Sequence, residues 1–239
     1  MTNHSTPTQR LPEALGQVIA ATKPGDRLLT EPQLARQLGV SRATLREAMR
    51  AFETQGLIRR RQGVGTFVLR PSHVLESGLE VLESIETLAH RTGLKVAFGE
   101  LKVNHRPAND EEIQALGLKP GDYVVSVSRV TLAEDRPVAF LVDILPDDMI
   151  TVEELTAGFS GSVLDLLLQR GDPPLINSHC EIAAVAVSSD VARTLNIQRG
   201  DALLRFKSRL FALDGRAVAY SFSYFLPGYF RFHVVRQLE

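Results

Sequence analysis

The chain has 239 residues and a formal net charge of −1, a length that suits one large domain or two modest ones of roughly 100 to 200 residues. With 44% hydrophobic and 23% charged residues it can bury a core and is not generically disordered. The longest apolar stretches fall short of the about 18 residues that a membrane span needs, and no basic-then-apolar leader opens the chain, so a cytoplasmic protein without a membrane partner is expected. A single cysteine, Cys180, excludes an internal disulfide framework and cysteine-rich metal sites, and the histidines show no metal-ligand spacing; neither metal nor cofactor is expected.

Residues 1 to 70 hold 11 Lys and Arg against 5 Asp and Glu, whereas residues 71 to 239 hold 16 against 23. A basic head on an acidic body points to a polyanion for the head and another task for the rest. The breaks in pattern divide the chain into a head (1–70), a linker and connecting helix (71–92) and a body (93–239).

Along the head, Leu11, Leu15, Val18 and Ile19 repeat at helical spacing, with Pro12 suited to a first turn, until Lys23-Pro24-Gly25-Asp26 breaks the pattern. Thr30 with Gln33 three residues later announces a second helix, striped by Leu34 and Leu38 and ended by Gly39. After only Gly39-Val40, Ser41 caps a third, in which Leu45, Ala48, Met49 and Phe52 face inward until Gly56. Two helices joined so tightly cross steeply, which is the helix-turn-helix arrangement.

The outer flank of the third helix carries Arg42, Arg46 and Arg50 at i, i+4 and i+8. Like charges so spaced repel by a few tenths of a kcal/mol per pair, so the row costs helix stability unless an anion lies against it. In a major groove, Ser41, Arg42, Ala43 and Thr44 at the helix start would meet base edges, where arginine can bind guanine in bidentate fashion. A solvated basic face with Glu47 and Glu53 nearby is the other reading. Beyond it, Leu57–Arg61, Gln62-Gly63-Val64-Gly65 and Thr66–Leu69 read as a hairpin, with Arg59 and Arg60 placed for phosphate and a glycine tip that lets backbone approach it.

The run Pro24-Gly25-Asp26-Arg27-Leu28, Leu38-Gly39-Val40-Ser41-Arg42, Thr44-Leu45-Arg46-Glu47-Ala48, Gly56-Leu57-Ile58 and Arg60-Arg61-Gln62-Gly63-Val64-Gly65-Thr66-Phe67-Val68 resembles the winged helix of GntR-type bacterial transcription regulators. The resemblance covers about residues 11 to 69 and implies double-stranded operator DNA as partner. It implies that Arg42 and Arg46 read bases, helped by Ser41, Thr44 and the wing turn at Gln62 and Gly63. Pro32 stands where the family often has a further DNA-contacting residue, so that contact is absent or replaced.

After Arg70-Pro71-Ser72-His73 as linker, a helix is expected through Leu79, Leu82, Ile85, Leu88 and Ala89 to Gly93. The body then repeats itself. Leu116-Gly117-Leu118-Lys119-Pro120-Gly121-Asp122, Arg129 and Asp135-Arg136-Pro137-Val138-Ala139 recur as Leu195-Asn196-Ile197-Gln198-Arg199-Gly200-Asp201, Arg209 and Asp214-Gly215-Arg216-Ala217-Val218-Ala219. The copies lie 79 residues apart at Gly121 and Gly200 and 80 apart at Arg129 and Arg209, a shift that one inserted residue explains. Each copy reads helix, Gly-Asp turn, strand, hairpin, strand, with Asp110 and Asp190 suited to capping the helices. An α+β body of two related halves around one antiparallel sheet follows, unless the echo merely reuses a common helix-turn-strand grammar.

The duplicated pattern resembles the UTRA ligand-sensing domain, folded like chorismate lyase, of the HutC-like branch of GntR regulators. It spans about residues 76 to 236 and includes Leu145-Pro146, Gly161-Ser162-Val163-Leu164 and Glu181-Ile182. The resemblance implies a small-molecule effector in a pocket where the halves meet, lined by Arg129, Ser162 and residues near the last strand, Phe230 among them. Thr131, Leu141 and Gly228 depart from the residues usual in that branch, so its familiar ligands do not carry over.

Strand parity speaks to the same arginine. Arg129 falls in step with Val125 and Val127, whereas Arg209 falls in step with Arg205 and Lys207, so only Arg129 should point inward. A buried guanidinium needs an acceptor, and an internal carboxylate such as Glu181 or the acid group of a ligand could supply it. Ser126 and Ser128 take the opposite face. The aromatic tail, including Tyr220, Phe222, Tyr224 and Phe230, fits core, dimer interface or pocket wall. His179-Cys180-Glu181 cannot act as a nucleophile and base, because in a strand Cys180 faces away from its neighbours; a core thiol is expected. A homodimeric, ligand-responsive repressor follows, with a chorismate-lyase-like enzyme or a purely dimerising body as alternatives.

Overall fold

The computed structural model describes residues 7–236 except 24, 55, 62, 70–74, 94, 134, 157–158 and 160. The linker Arg70–His73 lies outside the described residues. The chain divides into two compact units: one ends at residue 74 and includes Leu226–Tyr229, and the other runs Leu75–Phe225 and resumes at Phe230.

In the first unit, α1 (Pro7–Ala21), α2 (Glu31–Gln37) and α3 (Arg42–Thr54) precede a hairpin of β1 (Ile58–Arg61) and β2 (Gly65–Val68). Leu15, Ile19, Leu34, Leu45, Met49, Ile58 and Val68 form its core. The expected first turn at Pro12 is displaced: α1 already begins at Pro7, and Pro12 lies inside it, where it forgoes one backbone hydrogen bond. At the start of α2 the Gln33 carboxamide oxygen accepts from both the amide (3.2 Å) and the hydroxyl (2.7 Å) of Thr30. A third chain segment joins the hairpin: Gly25 N–H donates to Val68 O, Val68 N–H to Asp26 O and Leu28 N–H to Thr66 O, bridging Arg27 and Phe67. What reads in sequence only as a helix breaker thus satisfies the open edge of the wing.

The second unit contains β3 (Leu75–Gly78), α4 (Ile85–Arg91), β4 (Val96–Pro107), α5 (Asp110–Leu116), β5 (Tyr123–Ala133), β6 (Arg136–Pro146), α6 (Val152–Thr156), α7 (Val163–Arg170), β7 (Leu175–Ala186), α8 (Ser189–Thr194), β8 (Ala202–Ala212), β9 (Ala217–Phe225) and β10 (Phe230–His233). Six strands form one sheet in the order β4-β5-β6-β9-β8-β7, every neighbour antiparallel. The order is symmetric about the β6–β9 pair, with β4, β5, β6 answered by β7, β8, β9, so the echo is a structural duplication. Its Gly-Asp turns share a cause: Gly121 and Gly200 adopt φ of 96° and 88°, which a residue with a Cβ avoids.

One sheet face, with Val125, Val127, Leu145, Leu210 and Ala219, carries Leu155 of α6 and Val163 and Leu167 of α7. The other, with Val124, Ile144 and Tyr220, carries Leu116 of α5. Three local expectations are corrected. The caps of α5 and α8 are Asn109 and Ser188, whose side chains accept from Glu112 N and Val191 N; Asp110 and Asp190 fall inside the first turns, where their charge meets the positive end of the dipole. The connecting helix starts at Ile85, six residues after Leu79, because the Ser84 hydroxyl accepts from Thr87 N at 2.9 Å and fixes the start there. Ahead of it, β3 pairs in parallel with β10, a pairing between distant segments that local periodicity cannot reveal.

Candidate functional site

The head presents its basic face on α3. Ser41 caps that helix, its hydroxyl accepting from Thr44 N at 3.1 Å and lying 2.8 Å from the Thr44 hydroxyl. Arg42 is exposed. Arg46, with its side chain 56% exposed, is paired through Nε with Glu31 at 2.6 Å, and Arg50 is half-buried beside Glu47 at 2.9 Å. Of the two readings of the row, the one with carboxylates nearby holds for Arg50 beside Glu47, and Glu31 at the start of α2 adds a partner for Arg46; the chain's own carboxylates thus offset the crowding of two of the three guanidiniums.

On the wing, pleating separates the basic residues. Ile58 enters the core, and Arg60 on the same side turns back to α3, its Nε 2.7 Å from Glu53, which also accepts from Arg60 N. Arg59 and Arg61 take the outward side; Arg59 is exposed, and Arg61 lies over the Phe67 ring at 5.2 Å. Both Arg59 and Arg60 were expected at phosphates; β alternation of period two sets them on opposite sides of the wing. At the tip, Gly63 has φ of 74° and open space where a Cβ would stand, as a close approach by another backbone requires. Gln62 lies outside the described residues.

The body contains a cavity of about 580 Å³. Its floor is the sheet face that carries Arg129, which is only 5% exposed. Nη1 of Arg129 meets Asp143 Oδ2 at 2.5 Å, and Asp143 Oδ1 accepts from the Ser221 hydroxyl at 2.6 Å, a chain across β5, β6 and β9. The guanidinium also lies 5.7 Å from the Phe159 ring centroid, and its Nε has no acceptor among the described residues. The walls come from the segment Ser77–Leu88, from the start of α7 at Ser162, and from the even-numbered pleat of β7 and β8, which brings in Cys180, Phe206 and Ser208.

A carboxylate that sequence reasoning missed faces this space. Glu86, in the first turn of α4, lines the cavity with its Oε1 3.5 Å from where a Cβ on Gly161 would stand. Burial pushes its carboxyl above the ordinary value, opposed by the pull of Arg129. Next to it, Asp165 of α7 accepts from the hydroxyls of Ser84 (2.6 Å) and Thr87 (3.2 Å), tying the starts of α4 and α7 together.

The other expected residues divide. Ser162 borders the cavity, 1% exposed, with its hydroxyl capping α7 by accepting from Asp165 N at 3.0 Å. Glu181 is not the partner of Arg129: it is exposed on β7 opposite Lys207, on the pleat turned away from the cavity. Asp143 takes its place because β6 is the neighbour of β5 and β7 is not. Phe230 is buried against Phe225 at 4.8 Å, and Phe225 and Phe232 form the wall there instead. Cys180 is exposed rather than a core thiol, because β7 is the edge of the sheet. Arg209 lies opposite Leu210 and the cavity pleat, as parity required, with its guanidinium 5.7 Å from the Phe211 ring.

Comparison with known proteins gives two family matches, one described as bacterial regulatory proteins, gntR family, over residues 7–68 and one as UTRA domain over residues 91–231. The mannosyl-D-glycerate transport/metabolism system repressor MngR of Escherichia coli is 29% identical over 224 residues, 90% of this chain and 88% of its own. The HTH-type transcriptional regulator Rv0792c of Mycobacterium tuberculosis is 30% identical over 241 residues, 94% of this chain and 84% of its own. The crystal structure of PhnF from Mycobacterium smegmatis shares the fold with a TM-score of 0.65 at 20% identity, covering 96% of this chain and 100% of that one. These relatives are regulators, which removes the catalytic alternative for the body. With both matches in chain order and the UTRA match spanning more than half its length, the chain belongs to the GntR family of bacterial regulatory proteins and is a ligand-responsive, DNA-binding transcription regulator.

Proposed function

We propose that this regulator is a cytoplasmic repressor of the HutC-like branch, working as a homodimer whose two heads grip the halves of a near-palindromic operator and leave it when a small metabolite enters the cavity. The proposed division is a head of residues 1–70, a linker and connecting helix of 71–92 and a body of 93–239. Arg42 and Arg46 read base edges, with Ser41 and Thr44 holding the start of α3 against the groove, while Arg50, Arg59, Arg60 and the tip at Gln62 and Gly63 meet phosphates. Arg129 and Ser162 take part in holding the effector.

The observation that supports the switch is that residues 77–88, the described chain that follows the head, form a cavity wall. A ligand there touches the segment through which any change of the body reaches the head. It shifts operator affinity only by its difference in affinity for the DNA-bound and free arrangements.

Footprinting on the operator, with sedimentation of the free protein, tests this reading. Protection of two half-sites about one helical turn apart is expected, with a particle of twice the 26.3 kDa chain mass and loss of protection on adding effector. A metabolite that binds the cavity and leaves the footprint unchanged would contradict the switch.

A further inference from the structure

We propose that the cavity takes a small polar molecule bearing a protonated amine, with the nitrogen against Glu86 and an oxygen acceptor on the edge of Arg129 that Asp143 leaves unoccupied. The inference rests on the cavity being the effector site.

It follows from the balance of charge in the cavity. Among the described residues Arg129 is the cation that lines it, and Asp143 already holds that guanidinium. Glu83 also lines the cavity and is held by Arg91 at 2.6 Å. Glu80 receives the amide of Val235. Glu86 remains: among the described residues no cationic nitrogen makes a salt bridge to it, and the other groups whose charges act on it are Arg129, Asp143 and Asp165.

A phosphate or carboxylate entering here would meet Glu86 and Asp143 with no uncommitted cation to offset them, and desolvating such a repulsion is costly. An ammonium group supplies the counter-charge that Glu86 lacks, in a charge-assisted hydrogen bond. The more than nine-tenths buried Arg129, with Nε unpartnered, calls for an oxygen acceptor on the same ligand. The serine hydroxyls of β7, β8 and β9, such as Ser178, Ser208 and Ser223, suit the polar remainder of such a molecule.

The test is a thermal-shift and calorimetric screen of the full-length protein with matched probes: aminosugars and amino alcohols, each as the free amine, the N-acetyl form and the phosphate ester, and amino acid amides, each beside its N-acetyl form and the N-acetyl amino acid with a free carboxylate. A free amine should raise the melting temperature, its N-acetyl form should bind about tenfold more weakly or worse, and the Glu86→Gln variant should melt cooperatively without responding to that amine. Shifts produced only by phosphorylated or carboxylated probes, or an amine response kept by Glu86→Gln, would overturn the amine while leaving the effector reading in place. A screen in which no class produces a shift would overturn both.

Discussion

Arg42 and Arg46, the proposed base readers, are one helical turn apart, yet the chain holds them differently. Arg46 is held by Glu31, so its guanidinium is presented by α2 at a fixed place, whereas Arg42 keeps its rotamer freedom for the groove. Arg42→Ala should cost about 1 to 3 kcal/mol of operator binding and relax preference at one base pair, as read by gel shift against a panel of mutated operators. In the body, Glu86 carries a stability signature whose sign is fixed. Burial raises its pKa in the folded state, so ionising it costs the native state stability above that pKa, and the cost disappears as pH falls below the unfolded value. Glu86→Gln should therefore melt higher than the wild type at neutral pH, with the gap closing on acidification through the carboxylate range. The inward aim of Arg129 was legible from alternation alone. Its partner was not, because Asp143 and Glu181 are distinguished only by which strand lies beside β5.

The elements were legible where a cap or a turn residue fixes them, and illegible where a distant segment decides. Ser41 and Gly39 mark the start of α3 and the end of α2 within a residue or two, whereas the apolar residues from Leu79 to Ala89 suit a helix that Ser84 cuts short. That mistake concealed Glu86, since a residue in mid-helix and one in a first turn face different neighbours. Strand β3 was equally hidden, because its partner β10 lies more than 150 residues away in the chain. Ser84 joins two elements at the cavity: it caps α4, donates to Asp165 of α7 and lines the space beside them. Ser84→Ala should lower unfolding stability by about 2 to 4 kcal/mol in urea titrations, the sum of a lost cap and a buried carboxylate hydrogen bond.

For the whole molecule, the opposed charges of head and body and the internal repeat both translate into architecture: a basic helix and wing in one unit, and in the other a sheet symmetric about β6 and β9. The two halves have since diverged where it counts, for the arginine of β5 is buried beside the cavity and that of β8 is turned to the other face. The cavity also crosses the boundary that the family match draws, and keeps instead to the wider span, from about residue 76, of the sequence resemblance. The UTRA match begins at residue 91, whereas the wall begins at Ser77 and includes Ser84 and Glu86. A body excised at residue 91 would have its sheet but be missing one side of its receptacle, together with the strand against which β10 lies. Begun at Leu75 instead, the piece should keep the heat-stabilising response to metabolites that the shorter one forfeits, because the residues from Ser77 to Leu88 are as much a part of the receptacle as the sheet beneath it.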